Sequence, residues 1–251
     1  MNWPVTTTAD WPALSAALTD ALHLGTAPIG ITFHAEMPES LPAFQDPMPA
    51  VSPDGRTGRV PAGCVFWMKS AGGEGYPGRT FTTVAADHAN CSVGSWTHGF
   101  ISLEEAAGKG DVGALLDSGW VTMEMIPGIP TVTEKPAAIT YGPVGQTEVV
   151  PDVILIRLNP KQAMVLYDAI PGMRIEGKPQ CHIVAAAKEQ NEVVASVGCM
   201  LSRVRTAMPS TEMTCAIPAG KLADVVEAVA RTAATDAIVA GYAAEDARRF
   251  V

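Results

Sequence analysis

The stretch PDVILIRLNPKQAMVLYDAI, residues 151–170, decides the fold. Its first part, Val153–Leu158, is an almost continuous apolar run, which is typical of a strand buried on both faces. Asn159 and Pro160 follow directly, and this pair favours a helix start because Asn caps exposed N–H groups and Pro suits the first turn. The stretch therefore predicts a buried strand that leads into a helix.

Strands and helices alternate on both sides of this unit without long spacers. Further strands are predicted at 28–35, 79–85, 135–141 and 193–199, and helices after Asp10, from Cys64, from Cys181 and around 222–229. The segment HANCSVGSWTHGF, residues 88–100, is interpreted as a glycine-punctuated turn region. The alternation predicts an α/β or α+β fold in a single globular unit.

The two halves of the chain, residues 1–135 and 136–251, are similar in pattern. Each contains a strand that begins after a proline, a cysteine that opens a helix, a β-rich run and a second cysteine beside a glycine. The cysteines are Cys64 and Cys91 in the first half and Cys181 and Cys199 in the second. We therefore predict one compact domain built from two similar βα-type halves. The first would carry the N-terminal helix and a Pro-rich insertion at 37–61, and the second the C-terminal helix.

The composition limits the class of protein. Of 251 residues, 47% are apolar and 17% charged, so the chain can bury a large core and is not intrinsically disordered. A net charge of −9 and a pI near 5.0 argue against a nucleic-acid binder and against attachment to anionic lipid. No run approaches the roughly 18 apolar residues of a membrane span, and no basic region precedes an apolar run at the start. We expect a cytoplasmic protein and, from the low charge fraction and Ala-rich C-terminal helix, a homo-oligomer.

The four paired cysteines are candidate metal ligands. Thiolates in a tetrahedral set bind zinc or an iron–sulfur cluster, and a pseudo-twofold arrangement would bring the two pairs to one crevice. Cys64 and Cys181 are predicted at helix starts, where the helix dipole lowers a thiol pKa. The sequence contains no C-x-x-C motif, and inert packing is an equally common role for a cysteine. Cys215, in the apolar TCAIPAG, is interpreted as a packing residue.

The densest polar cluster is ADHANCSVGSW, residues 86–96. His88 or His98 could act as the base for a Cys91 nucleophile. Arg203 follows Cys199 by one helical turn, and we predict that Arg203 and Asn90 bind a ligand. The expected pocket is bounded by His88, Cys91, Cys199 and Arg203.

The order of these motifs resembles that of domain-of-unknown-function family 169. The resemblance covers nearly the whole chain. It rests on Gly63-Cys64, Asp87-His88-x-x-Cys91-x-x-Gly94, Pro151-Asp152-Val153, Asn159-Pro160-x-Gln162-Ala163-Met164, Cys181 and Gly198-Cys199-x-x-x-Arg203. It implies a fold and a cysteine pattern made of Cys64, Cys91, Cys181 and Cys199, but no established activity.

Three functions remain open. The leading prediction is a cysteine-ligated cofactor, an iron–sulfur cluster ahead of zinc, in a redox protein or lyase-type enzyme that acts on a small molecule. The second is a cofactor-free protein that binds or senses a small molecule. The third is a thiol enzyme that uses Cys91 with His88 or His98. The metal content of anaerobically purified protein discriminates between them.

Overall fold

The computed structural model describes residues 9–45, 62–72, 78–89, 91–177, 181–206 and 208–249. Within them the strands are β1 (Ile29–His34), β2 (Phe81–Thr83), β3 (Ala138–Pro143), β4 (Val153–Leu158), β5 (Arg174–Glu176), β6 (Val194–Ser196) and β7 (Met213–Pro218). The α-helices are α1 (Trp11–Leu22), α2 (Ala62–Ala71), α3 (Ser92–Thr97), α4 (Leu103–Ala107), α5 (Gly110–Asp117), α6 (Pro160–Ala169), α7 (His182–Gln190), α8 (Met200–Thr206) and α9 (Leu222–Ala247). Of the Pro-rich insertion, residues 46–61 lie outside the described part. No helix among the described residues is long and apolar enough to cross a membrane.

All seven strands form one sheet in the order β2-β3-β1-β4-β7-β6-β5. Neighbouring strands are antiparallel except β5 and β6, which are parallel. The strand predicted from Val153–Leu158 lies in the middle of this sheet, and only Arg157 within it is partly exposed. The predicted single unit of mixed helices and sheet is confirmed.

The strands on either side of the central β1–β4 pair have matching registers. Ile29 at the start of β1 pairs with Pro143 at the end of β3, and Val153 at the start of β4 pairs with Pro218 at the end of β7. A duplication requires such a match, but the superposability of the two halves stays a prediction. The division at residue 135 also stays a prediction; β3, which follows it, pairs with β1 and β2.

Helices cover both faces of the sheet. Because side chains alternate along a strand, Ile154 and Ile156 enter one core with helices α1, α6 and α9. Val153 and Leu155 enter a second core with α2 and α7. Each fully buried aliphatic side chain of this kind contributes about 1.5–3 kcal/mol, so the central strand stabilises both layers.

The helix predicted after Asn159 begins there because its first turn is capped in both directions. The Gln162 N–H donates to Asn159 Oδ1 at 2.9 Å, and the Asn159 N–H donates to Gln162 Oε1 at 2.7 Å. This reciprocal pair satisfies backbone donors that have no partner inside the helix.

The segment 88–100 differs from its sequence interpretation. It contains helix α3 and the end of a 3-10 turn, Ala85–His88, rather than a turn region alone. Gly94 lies inside the helix, and only Gly99 adopts a positive φ, of 80°. A glycine ends a helix where it takes the left-handed conformation, and Gly94 does not do so.

Both edges of the sheet are short. Edge strand β2 is covered because the Phe44 N–H donates to Thr82 O and the Thr82 N–H donates to Pro42 O, each at 2.7 Å. Edge strand β5 has three residues, of which Arg174 and Glu176 form an ion pair at 2.6 Å.

Candidate cysteine and histidine site

The four cysteines of the predicted set all lie at helix starts. Cys64 is the third residue of α2, Cys91 and Cys181 are the N-caps of α3 and α7, and Cys199 directly precedes α8. Helix α2 contacts both α3 and α8. All five cysteines carry reduced thiols. Cys215 lies instead in the core on the α1 face, and burial raises its thiol pKa, which fits the packing role expected of it.

Three thiols of the set affect the pKa of the fourth, Cys181. Burial raises the pKa of Cys181 well above its usual range. Negative charge on Cys91, Cys199 and Cys64 raises the pKa of Cys181 further. The hydroxyl of Thr97 has the opposite effect and lowers this pKa in part. The expectation that the helix start lowers the pKa of Cys181 is therefore wrong, because the loss of hydration outweighs the helix dipole.

Among the described side chains, no group of three or more His, Cys, Asp or Glu could hold a metal ion. A zinc ion needs every sulfur at about 2.3 Å. A cluster has several atoms of its own between its cysteine ligands, so it accepts sulfurs that lie farther apart. Iron–sulfur and zinc ligation by these thiols both stay predictions.

Three buried imidazoles lie beside the cysteine-bearing helix starts. His88 ends the 3-10 turn, His98 follows α3 and His182 begins α7, and none is more than 3% exposed. The ring centroids of His88 and His98 are 6.3 Å apart. Burial lowers the pKa of His98 to about 4, that of His182 to about 3, and that of His88 well below its usual value. All three rings are therefore neutral at physiological pH.

Most nitrogens of these rings have no hydrogen-bonding partner within the described part of the chain. They are Nδ1 of His88, both nitrogens of His98 and Nε2 of His182. The peptide of Cys181 lies close enough to His98 to favour its protonated form, but not in hydrogen-bonding geometry. Trp67 Nε1 and Tyr141 Oη are also buried without a partner. Native proteins leave few such atoms, so their concentration here makes this region the candidate functional site.

Gly63 allows helix α2 to lie against the histidines. A Cβ at this position would be 2.8 Å from Cε1 of His98 and 2.8 Å from Cζ2 of Trp67. Only a residue without a side chain permits this approach, immediately before Cys64.

Arg203 is bound to the backbone. Its Nη1 donates to Pro209 O at 2.8 Å, and its Nη2 donates to Val197 O at 2.5 Å and to Glu212 O at 2.7 Å. These bonds hold the segments on either side of α8 together. Ligand binding by Arg203 stays a prediction, and Asn90 lies outside the described residues.

Two residues of the site, Thr83 and Tyr141, are not among those predicted from the sequence. Thr83 lies in β2 with its hydroxyl 2.9 Å from His88 Nε2, and the buried Tyr141 ring stacks on Phe66 with centroids 5.5 Å apart. Hydroxyl-bearing residues are ordinary in β-rich runs, so nothing in the sequence distinguishes these two.

Two cavities formed by described residues lie away from this site. One cavity of about 430 Å³ lies between the end of α6 and α9, and another of about 640 Å³ lies beside Arg157 and Glu212. Neither is lined by a cysteine.

Comparison with known proteins gives one result. The family model DUF169, described as uncharacterised ArCR, matches residues 17–228. No curated protein and no solved structure matches the chain. The resemblance found in the motifs is thereby confirmed.

Proposed function

The chain belongs to domain-of-unknown-function family 169, and we propose that it is a cofactor protein that holds an iron–sulfur cluster. Its ligands would be Cys64, Cys91, Cys181 and Cys199. The observation that carries the proposal is that the other three thiols all lie near enough to Cys181 to raise its pKa, although the four belong to separate helix starts. The protein would act on a small molecule in a redox or lyase-type reaction.

The donor set fits such a group. Thiolates are the usual ligands of iron–sulfur clusters. When bound, a cluster supplies one-electron transfer or an iron that acts as a Lewis acid. The Thr97 hydroxyl favours the ionised form of Cys181, which is the form that binds metal. Hydrogen bonds to ligand sulfurs also adjust the reduction potential, so Thr97 is a candidate for that role.

His88 and His98 are the proposed acid–base groups. Their buried rings are neutral, so an unprotonated ring nitrogen can accept a proton from a bound molecule. In the third function considered above, the same rings would activate Cys91 directly.

The test is the metal content of protein purified without oxygen. Wild-type protein should be brown and contain iron and acid-labile sulfide, and Cys91→Ser should lose both while remaining folded. Cys215→Ala is the matched control, because it removes a cysteine that lies in the other core. Iron retained in full by Cys91→Ser would refute the ligand set. Zinc in place of iron would keep the thiol site and exclude the cluster.

One observation favours the cofactor-free alternatives. The unpartnered nitrogens of His98 could bind a polar small molecule directly, without a metal. A metal-free protein whose cysteines resist alkylation would support a binding or sensing protein. Rapid alkylation of Cys91 in metal-free protein would support the thiol enzyme.

The homo-oligomer is also a proposal. Near its end, α9 exposes three large apolar side chains, Ile238 (75%), Val239 (57%) and Tyr242 (76%). A second copy of the chain would cover them. Ile238→Ser combined with Tyr242→Ser should reduce the mass measured by light scattering to that of one chain, and an unchanged mass would exclude this surface. Reduced thiols suit the cytoplasm, which we propose as the location.

A further inference from the structure

Two consecutive hydrogen bonds fix the tautomer of His88. The hydroxyl oxygen of Thr83 lies 2.9 Å from His88 Nε2 and 3.0 Å from the carbonyl oxygen of Ile139. A carbonyl only accepts, so the one hydroxyl hydrogen of Thr83 is donated to Ile139. The Thr83 oxygen must then accept from His88, and the ring proton lies on Nε2.

The other nitrogen, Nδ1, consequently carries a lone pair. His88 is 0% exposed, and its Nδ1 has no hydrogen-bonding partner among the residues described. The flanking rings of Phe66 and Phe100, with centroids at 4.8 and 4.7 Å, offer it no polar hydrogen. A buried acceptor without a donor is unfavourable, so the site is prepared for a group that brings one.

The surroundings limit what that group can belong to. A neighbouring imidazole, His98, with its centroid 6.3 Å from that of His88, is neutral and has two unpartnered nitrogens of its own. An anion placed between neutral imidazoles and aromatic rings would be buried without a compensating charge. The chemistry therefore favours a neutral molecule.

We propose that Nδ1 of His88 accepts a hydrogen bond from the N–H or O–H group of a small neutral molecule bound beside His98, and that Thr83 is the positioning residue that fixes this polarity. Only the statement that this molecule is the substrate rests on the proposed function. The tautomer and the binding of a donor do not depend on the cluster.

The first experiment measures the tautomer by ¹⁵N NMR of the histidine rings in the full-length protein. His88 should carry its proton on Nε2 in the wild type and in Thr83→Ser, which keeps the hydroxyl. Thr83→Val removes the acceptor and should shift the ring toward the other tautomer. A wild-type proton on Nδ1 would overturn the proposal without reference to any variant.

The second experiment adds pyrazole, a small neutral ring with one N–H, and compares it with 1-methylpyrazole, which has none. Pyrazole should shift the His88 Nδ1 resonance in a saturable way, and 1-methylpyrazole should shift it less than one tenth as much. Equal shifts, or no shift with either compound, would show that Nδ1 does not receive a ligand donor.

The two proposals fail separately. Protein without iron in which pyrazole reaches His88 would contradict the cluster and support this inference. Protein that contains iron but has the proton of His88 on Nδ1 would support the cluster and contradict this inference.

Discussion

Replacing Gly63 by alanine should destabilise the protein by about 1–2 kcal/mol. The new Cβ would lie 2.8 Å from His98 Cε1 and 2.8 Å from Trp67 Cζ2, closer than real Cβ contacts. Both rings are buried, at 0% and 3% exposure, so neither can swing into solvent. Overpacking of a core typically costs about 1–3 kcal/mol, and the better helix propensity of alanine offsets up to about 1 kcal/mol.

Gly241→Ala provides the matched control. It makes the same substitution in helix α9, where a Cβ would meet nothing within 4 Å. This variant should gain up to about 1 kcal/mol from helix propensity alone. About 1 kcal/mol corresponds to roughly 2–4 °C in a protein of this size, so the melting temperatures of the two variants should differ by roughly 2–12 °C. Far-UV circular dichroism measures the free energy of unfolding in urea and the melting temperature on heating. If Gly63→Ala melts at or above the wild-type temperature, the close approach of α2 to His98 is wrong.

Two further predictions concern Arg203 and the buried histidines. Arg203→Met should lower the free energy of unfolding by about 1–3 kcal/mol, because it removes the hydrogen bonds from a charged side chain to three carbonyl oxygens. Arg231→Met, on the exposed face of α9, should change the free energy of unfolding by less than about 0.5 kcal/mol. An unchanged urea midpoint for Arg203→Met would leave ligand binding as its role. In metal-free protein, the pKa of His98 is about 4 in the folded state and 6.5 in the unfolded state. Between these two pH values the unfolded state binds more protons, so the free energy of unfolding falls as the pH is lowered. His98 alone should cost roughly 3 kcal/mol between pH 6.5 and pH 4, and the lowered pKa values of His88 and His182 act in the same direction. Urea midpoints that are flat across this range would contradict the burial of these rings.

The central part of the fold could be predicted because its signals are local. The apolar run Val153–Leu158 can only be buried, and the cap at Asn159 needs only the next three residues. Helix α3 could not be predicted in this way, because its sequence contains Gly94 and glycine is common in turns. Whether that glycine ends or continues a helix depends on its packing, which the sequence does not state.

The candidate site shows the same division. The helix starts at Cys64 and Cys181 were predictable from the adjoining patterns, since helix formation there is a local property. The raised pKa of Cys181 was not predictable, because burial and the neighbouring thiols come from distant segments. The pairing of Thr83 with His88 depends likewise on how β2 leads into the 3-10 turn.

The short sheet edges have a consequence for how the protein behaves at high concentration. An exposed, long, flat edge strand would be a template for strand addition from a second chain and for cross-β aggregation. Here one edge is occupied by the segment Pro42–Phe44, and the other carries opposite charges on a three-residue strand. Both devices discourage intermolecular strand pairing. Copies of this chain should therefore associate through helical surfaces and not through their sheet edges. The folded protein should not form fibrils, because fibril formation would require the sheet to unfold first.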